Sequence, residues 1–311
     1  QGNTIRFNDS QTFNDMTDLT VSIVVRTLNE ARYLGGLLES IQDQDYDRSS
    51  VEVILVDSGS TDDTLAIAQN HKCQIVHIVK SEFSFGRSLN MGCDRGRGSI
   101  LVFISGHCFP TGSQWLSQLV APFRDPRVAV TFGRQQGGAE SRFSECAIFE
   151  KYFPDHLSSN QVPFFCNNAN SAFRRESWSR FRFDELLTGL EDMHLAKQLV
   201  GLGQQVVYVP DAGVYHYHHE KWTQVKRRYE REAIALQAIM PEVQVGLRDV
   251  LRYFFAGVVT DCKRALKDGV LWRKACEIIA FRFCQYYGAW RGNHIHRKLS
   301  HHQKERYFYP N

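Results

Sequence analysis

The chain has eight cysteines but no C-x-x-C pair, the spacing that zinc ribbons and thioredoxin-like sites require. Cys73, Cys93, Cys108, Cys146, Cys166, Cys262, Cys276 and Cys284 are scattered over 311 residues. Disulfide frameworks belong to small secreted domains, so reduced thiols in a cytoplasmic protein are the expectation. No apolar run approaches the ~18 residues of a membrane-spanning helix. The opening QGNTIRFNDSQTFNDMTDL lacks the basic start and apolar centre of a signal peptide and reads as a polar lead-in over residues 1–19. No G-x-G-x-x-G follows the first apolar run, and no G-x-x-x-x-G-K-[ST] occurs anywhere. The dinucleotide fingerprint and the P-loop are both missing. Internal repeats and low-complexity segments are missing too.

Charge is present but unevenly divided. Glu220 to Asn311 holds 18 basic and 9 acidic residues, a net of +9, against 19 basic and 25 acidic before it, a net of −6. A basic, aromatic-rich end on an acidic body suggests that this end meets something anionic. No nucleic-acid-binding motif accompanies the charge, so nucleic acid is not an expected partner.

Four apolar runs of strand length, VSIVVRT (21–27), VEVILVD (51–57), QIVHIVK (74–80) and SILVFIS (99–105), alternate with helical patterns. The first helix places Leu34, Leu37, Leu38 and Ile41 on one face. This alternation predicts βαβ units and a mainly parallel sheet. Further on, VAVTFGRQ (128–135) reads as a strand and residues 136–170 as a mixed region with a long loop. NSAFRRESWSRF and GLEDMHLAKQLVGLG read as the last core helices, and residues 205–219 as a terminal strand pair. Beyond Trp222 the pattern is helical, with Phe, Tyr and Trp set beside Arg and Lys. A parallel sheet gathers ligands at the carboxyl ends of its strands. RTLNE (26–30), DSGSTDD (57–63) and SGH (105–107) fall at those ends.

VSIVVRTLNEARYL, VEVILVDSGSTDDT, FSFGRSLNMG, ILVFISGHCFP, FDELLTGLEDMHLAKQLVGLG and VYHYH follow one another over roughly residues 20–220. In letters, order and spacing they resemble glycosyltransferase family 2 enzymes of the GT-A fold. The closer likeness is to bacterial rhamnosyl and hexosyl transferases that build surface polysaccharides. The resemblance implies an α/β chain with a mainly parallel, Rossmann-like sheet flanked by helices over 20–220. The basic, aromatic-rich helical region over 221–311 follows as an appendage. It also implies an inverting transfer from a nucleotide-sugar donor, with a UDP-sugar favoured, to a saccharide or lipid-linked saccharide. The expected place is the cytoplasm, with the inner face of the cytoplasmic membrane as the anionic surface that the basic end meets. The alternatives are a catalytically silent nucleotide-sugar-binding or assembly partner, and a nucleotidyltransferase.

The same resemblance assigns residues. Asp57 is the carboxylate that accepts from the nucleotide base; from its own surroundings it equally caps the following helix with Ser58 and Ser60. Thr27, Asn29 and Glu30 resemble the loop lining the nucleoside, though Glu30 also suits a helix's first turn. Arg87 offers a planar fork suited to a diphosphate, or is a surface arginine. Ser105, Gly106 and His107 stand where the family usually has Asp-x-Asp, the carboxylates that fix Mg²⁺ or Mn²⁺. A hydroxyl and an imidazole carry less charge and a softer ligand atom, which favours Mn²⁺ or another transition ion as the divalent cation. His107 also suits direct donation to a phosphate.

His216 and His218 alternate along a strand and so share a face, from which they can join His107 at a metal or a phosphate. Asp192 matches the family's general base, with Glu191 orienting it or the acceptor. Two acids at a helix start also complement its dipole, by ~0.3–1 kcal/mol. Asn167, Asn168 and Asn170 resemble the acceptor-side segment, and are equally turn formers.

Overall fold

The computed structural model describes residues 19–157, 162–294 and 307–308. Eight strands form one sheet: β1 (Val21–Thr27), β2 (Val51–Asp57), β3 (Gln74–His77), β4 (Ile100–Ser105), β5 (Cys108–Pro110), β6 (Val128–Gln136), β7 (Asn170–Arg174) and β8 (Gln205–His216). Their order is β3-β2-β1-β4-β7-β6-β8-β5. The first four are parallel neighbours, as is β6 with β8, while β7 runs antiparallel to β4 and β6. The mainly parallel, helix-flanked sheet expected from the alternation is therefore present.

Apolar side chains fill both faces. On one face Ile23, Val25 and Leu55 pack with α1 (Ala31–Gln42), α2 (Thr64–Asn70) and α4 (Trp115–Val120). On the other, Val24, Val56 and Phe103 pack with α3 (Phe85–Arg95), α5 (Phe143–Tyr152), α6 (Arg175–Phe181) and α7 (Glu191–Gly201). Strands buried on both faces are continuous β-branched runs, which is why β1 and β2 end where their sequences suggest.

Two expectations are corrected. NSAFR is a strand, not a helix: β7 lacks β-branched residues and is held by pairing on both sides. Residues 205–216 form one strand, not a pair; its pairing with β6 lapses between Val209 and Val214, where Pro210 and Gly213 lie, and then resumes. In the mixed region over 136–170, Phe143–Tyr152 form α5.

The C-terminal helices α8 (Trp222–Ile239), α9 (Leu247–Lys267) and α10 (Leu271–Asn293) dock onto the core through α5. Val225, Phe281 and Cys284 pack with Ile148 and Tyr229. A Cβ on Gly288 or Gly292 would strike the carbonyls of Lys226 and Glu230, so glycine there lets α10 lie against α8. Arg282 forms a fork on buried Asp261, with Nε–Oδ2 at 2.7 Å and Nη2–Oδ1 at 2.9 Å, and Ser144 of α5 donates to Asp261 as well.

Candidate active site

The parallel register places Thr27 opposite Asp57 and Arg26 opposite Ser105, so the carboxyl ends of β1, β2 and β4 lie side by side. Asp57 is buried, and its Oδ2 accepts from the Gly59 and Ser60 amides at 2.9 and 3.0 Å. Ser58 turns inward and donates to the Thr27 carbonyl, and Thr27 is itself buried. Asn29 sits at φ 58°, and its Oδ1 accepts from the Thr61 amide at 2.8 Å. Asp57, Ser58, Thr27 and Asn29 thus lock the first two strand-to-helix loops together.

His107, His216 and His218 converge, with ligand nitrogens within 4.8 Å of one another. Each Nδ1 already has a partner at 2.8 Å: Glu30 for His107, Gln135 for His216 and Glu145 for His218. For His216 the direction of that bond is fixed by a chain. The Ala169 amide donates to Asn167 Oδ1, Gln135 Nε2 donates to the same oxygen, and Gln135 Oε1 is left to accept from His216. Nε2 is then the lone-pair nitrogen, and His216 Nε2 is buried with no hydrogen-bond partner. Burial, with His218, His107 and Arg228 close by, drives His216 well below the usual imidazole value. Burial also lowers His107, but Glu30 outweighs it and leaves that imidazole raised. Glu145 accepts from both His218 and Arg228 of α8; burial raises it, yet those two partners bring it down to about 2. Gly106 permits the Glu30–His107 contact, since a Cβ there would stand 3.0 Å from Glu30 Cγ. Three converging imidazoles, each held at Nδ1 by an oxygen of Glu30, Gln135 or Glu145, fit a divalent transition-metal ion.

Glu191 and Asp192 open α7 and are both buried. Asp192 accepts from the Asn168 and Met193 amides at 2.7 Å each. Burial, and next Glu191, raise Asp192 to about 7 against the pull of those amides and Arg26. The preceding Leu190 has φ 56°. Arg26 Nη1 stands 3.8 Å from Glu191 Oε1, and its charge is felt by Asp192 and His107. Arg26 therefore links the acidic pair to the histidines.

The other expected residues have these partners. Asn170 is fully buried, and its amide group is bonded to Trp115, Arg134 and Ala212, so it braces the sheet. Asn167 spends its oxygen on Gln135. Asn168 Nδ2 is buried and without a partner beside Asp192. Arg87 is half-exposed and pairs with Glu82 at 2.9 Å. Sequence reasoning missed Arg26, Gln135, Glu145, Arg228 and Arg231. Only proximity in the fold marks them, apart from Arg26, which sits beside the RTLNE loop.

The sequence profile of Glycosyl transferase family 2 matches residues 22–181. The chain is 23% identical over 268 residues to the O-antigen chain rhamnosyltransferase RfbN of Salmonella typhimurium, covering 82% of this chain and 84% of that one. It is 26% identical over 234 residues to the O-antigen chain rhamnosyltransferase WbaN of Salmonella anatum, covering 71% and 73%. Among solved structures, the mannosyltransferase PcManGT of Pyrobaculum calidifontis, in complex with GDP-Man and Mn²⁺, superposes with a TM-score of 0.63. That match has 18% identity and covers 90% of this chain and 88% of the other.

Proposed function

The chain belongs to glycosyl transferase family 2, and we propose that it transfers a sugar, with inversion, from a nucleoside diphosphate sugar to a hydroxyl of a saccharide or lipid-linked saccharide in bacterial surface-polysaccharide synthesis. The rhamnosyltransferase relatives support that setting, and the GDP-Man complex of the structural neighbour supports the donor class. Asp192 carries the reading. It is a buried carboxylate raised to about 7, held by two amides at a helix start, with the Arg26 guanidinium close enough to oppose that rise.

Asp192 accepts the proton of the acceptor hydroxyl as that oxygen bonds to the anomeric carbon and the bond from that carbon to the diphosphate oxygen breaks. The Asn168 and Met193 amides fix the carboxylate's aim, and Glu191 holds Arg26 beside it. Asn168 Nδ2 has a free N–H for an acceptor hydroxyl. His107, His216 and His218 would hold a divalent transition-metal ion, which when bound offsets the leaving group's negative charge. Asp57 lies at the base-binding position, its carboxylate already rigidified by the Gly59 and Ser60 amides.

No helix among the described residues is long and apolar enough to cross a membrane. On α9, Leu247, Leu251, Phe255 and Val259 are exposed at four-residue spacing, with Arg248 and Arg252 exposed among them. This face suits an anionic bilayer carrying the acceptor. The deciding experiment measures transfer to acceptor from a panel of UDP-, dTDP- and GDP-sugars by wild type and Asp192→Asn. Near-normal transfer by a folded Asp192→Asn would remove Asp192 as the base.

A further inference from the structure

Seven buried side-chain polar atoms lack a hydrogen-bond partner among the described residues, and four of them surround this site: His216 Nε2, Asn168 Nδ2, Arg26 Nη1 and Arg231 Nε. The cation accounts for the first and the acceptor for the second. Two guanidinium groups are left over.

Arg26 comes from β1 and Arg231 from α8, yet their guanidinium carbons lie 4.8 and 4.4 Å from the centroid of one ring, that of Phe85. Phe85 opens α3, whose first turn is fixed by Ser84 accepting from the Arg87 amide. Glu191 stands 3.8 Å from Arg26, too far for a hydrogen bond. Arg231 Nε lies 3.5 Å from where a Cβ on Gly189 would be, at the entrance to the helix of the acidic pair. Thr188 donates to the Arg231 carbonyl at 2.9 Å and ties α8 to that entrance. Burial lowers both guanidinium groups even though Glu191 opposes it in each.

A buried cation with an idle N–H is costly until an anion completes it. Cation–π contact with one ring supplies no acceptor oxygen. The planar fork of arginine matches phosphate oxygens in pairs.

We propose that Arg26 and Arg231 together cradle the donor's diphosphate, which makes α8 a wall of the catalytic site. The inference rests on the donor being a nucleoside diphosphate sugar, as read above. It places the anion contact at these two residues and not at Arg87.

The test titrates inorganic pyrophosphate into the full chain calorimetrically, in chelator-containing buffer so that no metal contributes. Wild type binds saturably, and Arg26→Met and Arg231→Met each weaken binding by roughly tenfold or more, the loss of one hydrogen bond to a charged group. Arg231→Lys recovers part of the loss, because charge returns without the fork. Circular dichroism and melting confirm folding; should Arg26→Met not fold, Arg231→Met decides alone. Absence of saturable pyrophosphate binding by wild type overturns the proposal. So does unchanged affinity in folded Arg231→Met, including the case where only the acceptor KM rises. The cradle is read from the pyrophosphate affinity of the two arginine variants and the base from the transfer rate of Asp192→Asn, so the two stand or fall separately.

Discussion

The backbone N–H of Asn168 donates to Asp192 Oδ2 at 2.7 Å, while the side-chain Nδ2 of the same Asn168 has no acceptor. One residue thus holds the carboxylate proposed as the base and presents an open donor beside it. Replacing Asp192 by Asn removes proton acceptance and is expected to lower kcat by about 10²–10⁴-fold. If Asp192 is the base, the burial that raises it to about 7 means that kcat/KM should climb as pH rises through that value and level off above it. A pH–rate profile checks this, and a rate that falls across the same range refutes it.

The histidine set gives a second expectation. Zn²⁺, Co²⁺ or Mn²⁺ should raise the melting temperature, chelator should reverse the rise, and His216→Ala should abolish it. Gln135→Ala leaves three imidazoles but frees His216 to turn, and should weaken metal affinity about 10–100-fold. Thermal shift against metal concentration reads both effects.

Arg282, Asp261 and Ser144 form the buried bond between the C-terminal helices and α5. Asp261→Ala strands a buried guanidinium and should cost about 3–5 kcal/mol. Replacing both Asp261 and Arg282 by apolar residues of similar volume should cost less than Asp261→Ala alone. Chemical denaturation of the variants measures the difference.

The exposed face of α9 yields a prediction about place. Wild type should sediment with vesicles containing phosphatidylglycerol and remain free of pure phosphatidylcholine vesicles. Leu251→Glu with Phe255→Glu should release it while leaving transfer to a short water-soluble acceptor intact. Equal sedimentation of the double variant would discard this face of α9 as the contact with the bilayer.

Much of the architecture was legible because β1, β2 and β4 are rich in Val, Ile and Leu, as strands buried on both faces are. β7 was hidden because Asn170 and Ser171 carry no strand signal and serve through hydrogen bonds instead. Residues 205–219 read as a strand pair where β8 merely lapses and resumes its pairing, around Pro210 and Gly213. At the site, the acidic pair and the three histidines could be found because each sits in a recognisable string. Gln135, Glu145 and Arg231 could not, since their partners are brought to them by β6, α5 and α8 only after the sheet closes.

Leu190 and Asn29 share an oddity: each holds a left-handed backbone that a non-glycine side chain resists, and each stands one residue before a site acid, Glu191 or Glu30. Such a conformation costs of order 1–3 kcal/mol and persists only where its surroundings compel it. Leu190→Gly should relax the turn, so the melting temperature should hold or rise while kcat falls because the acids lose their fixed bearing. A chain this tense just ahead of its working groups is a sprung mount, steadier for its task than a looser and more durable variant would be.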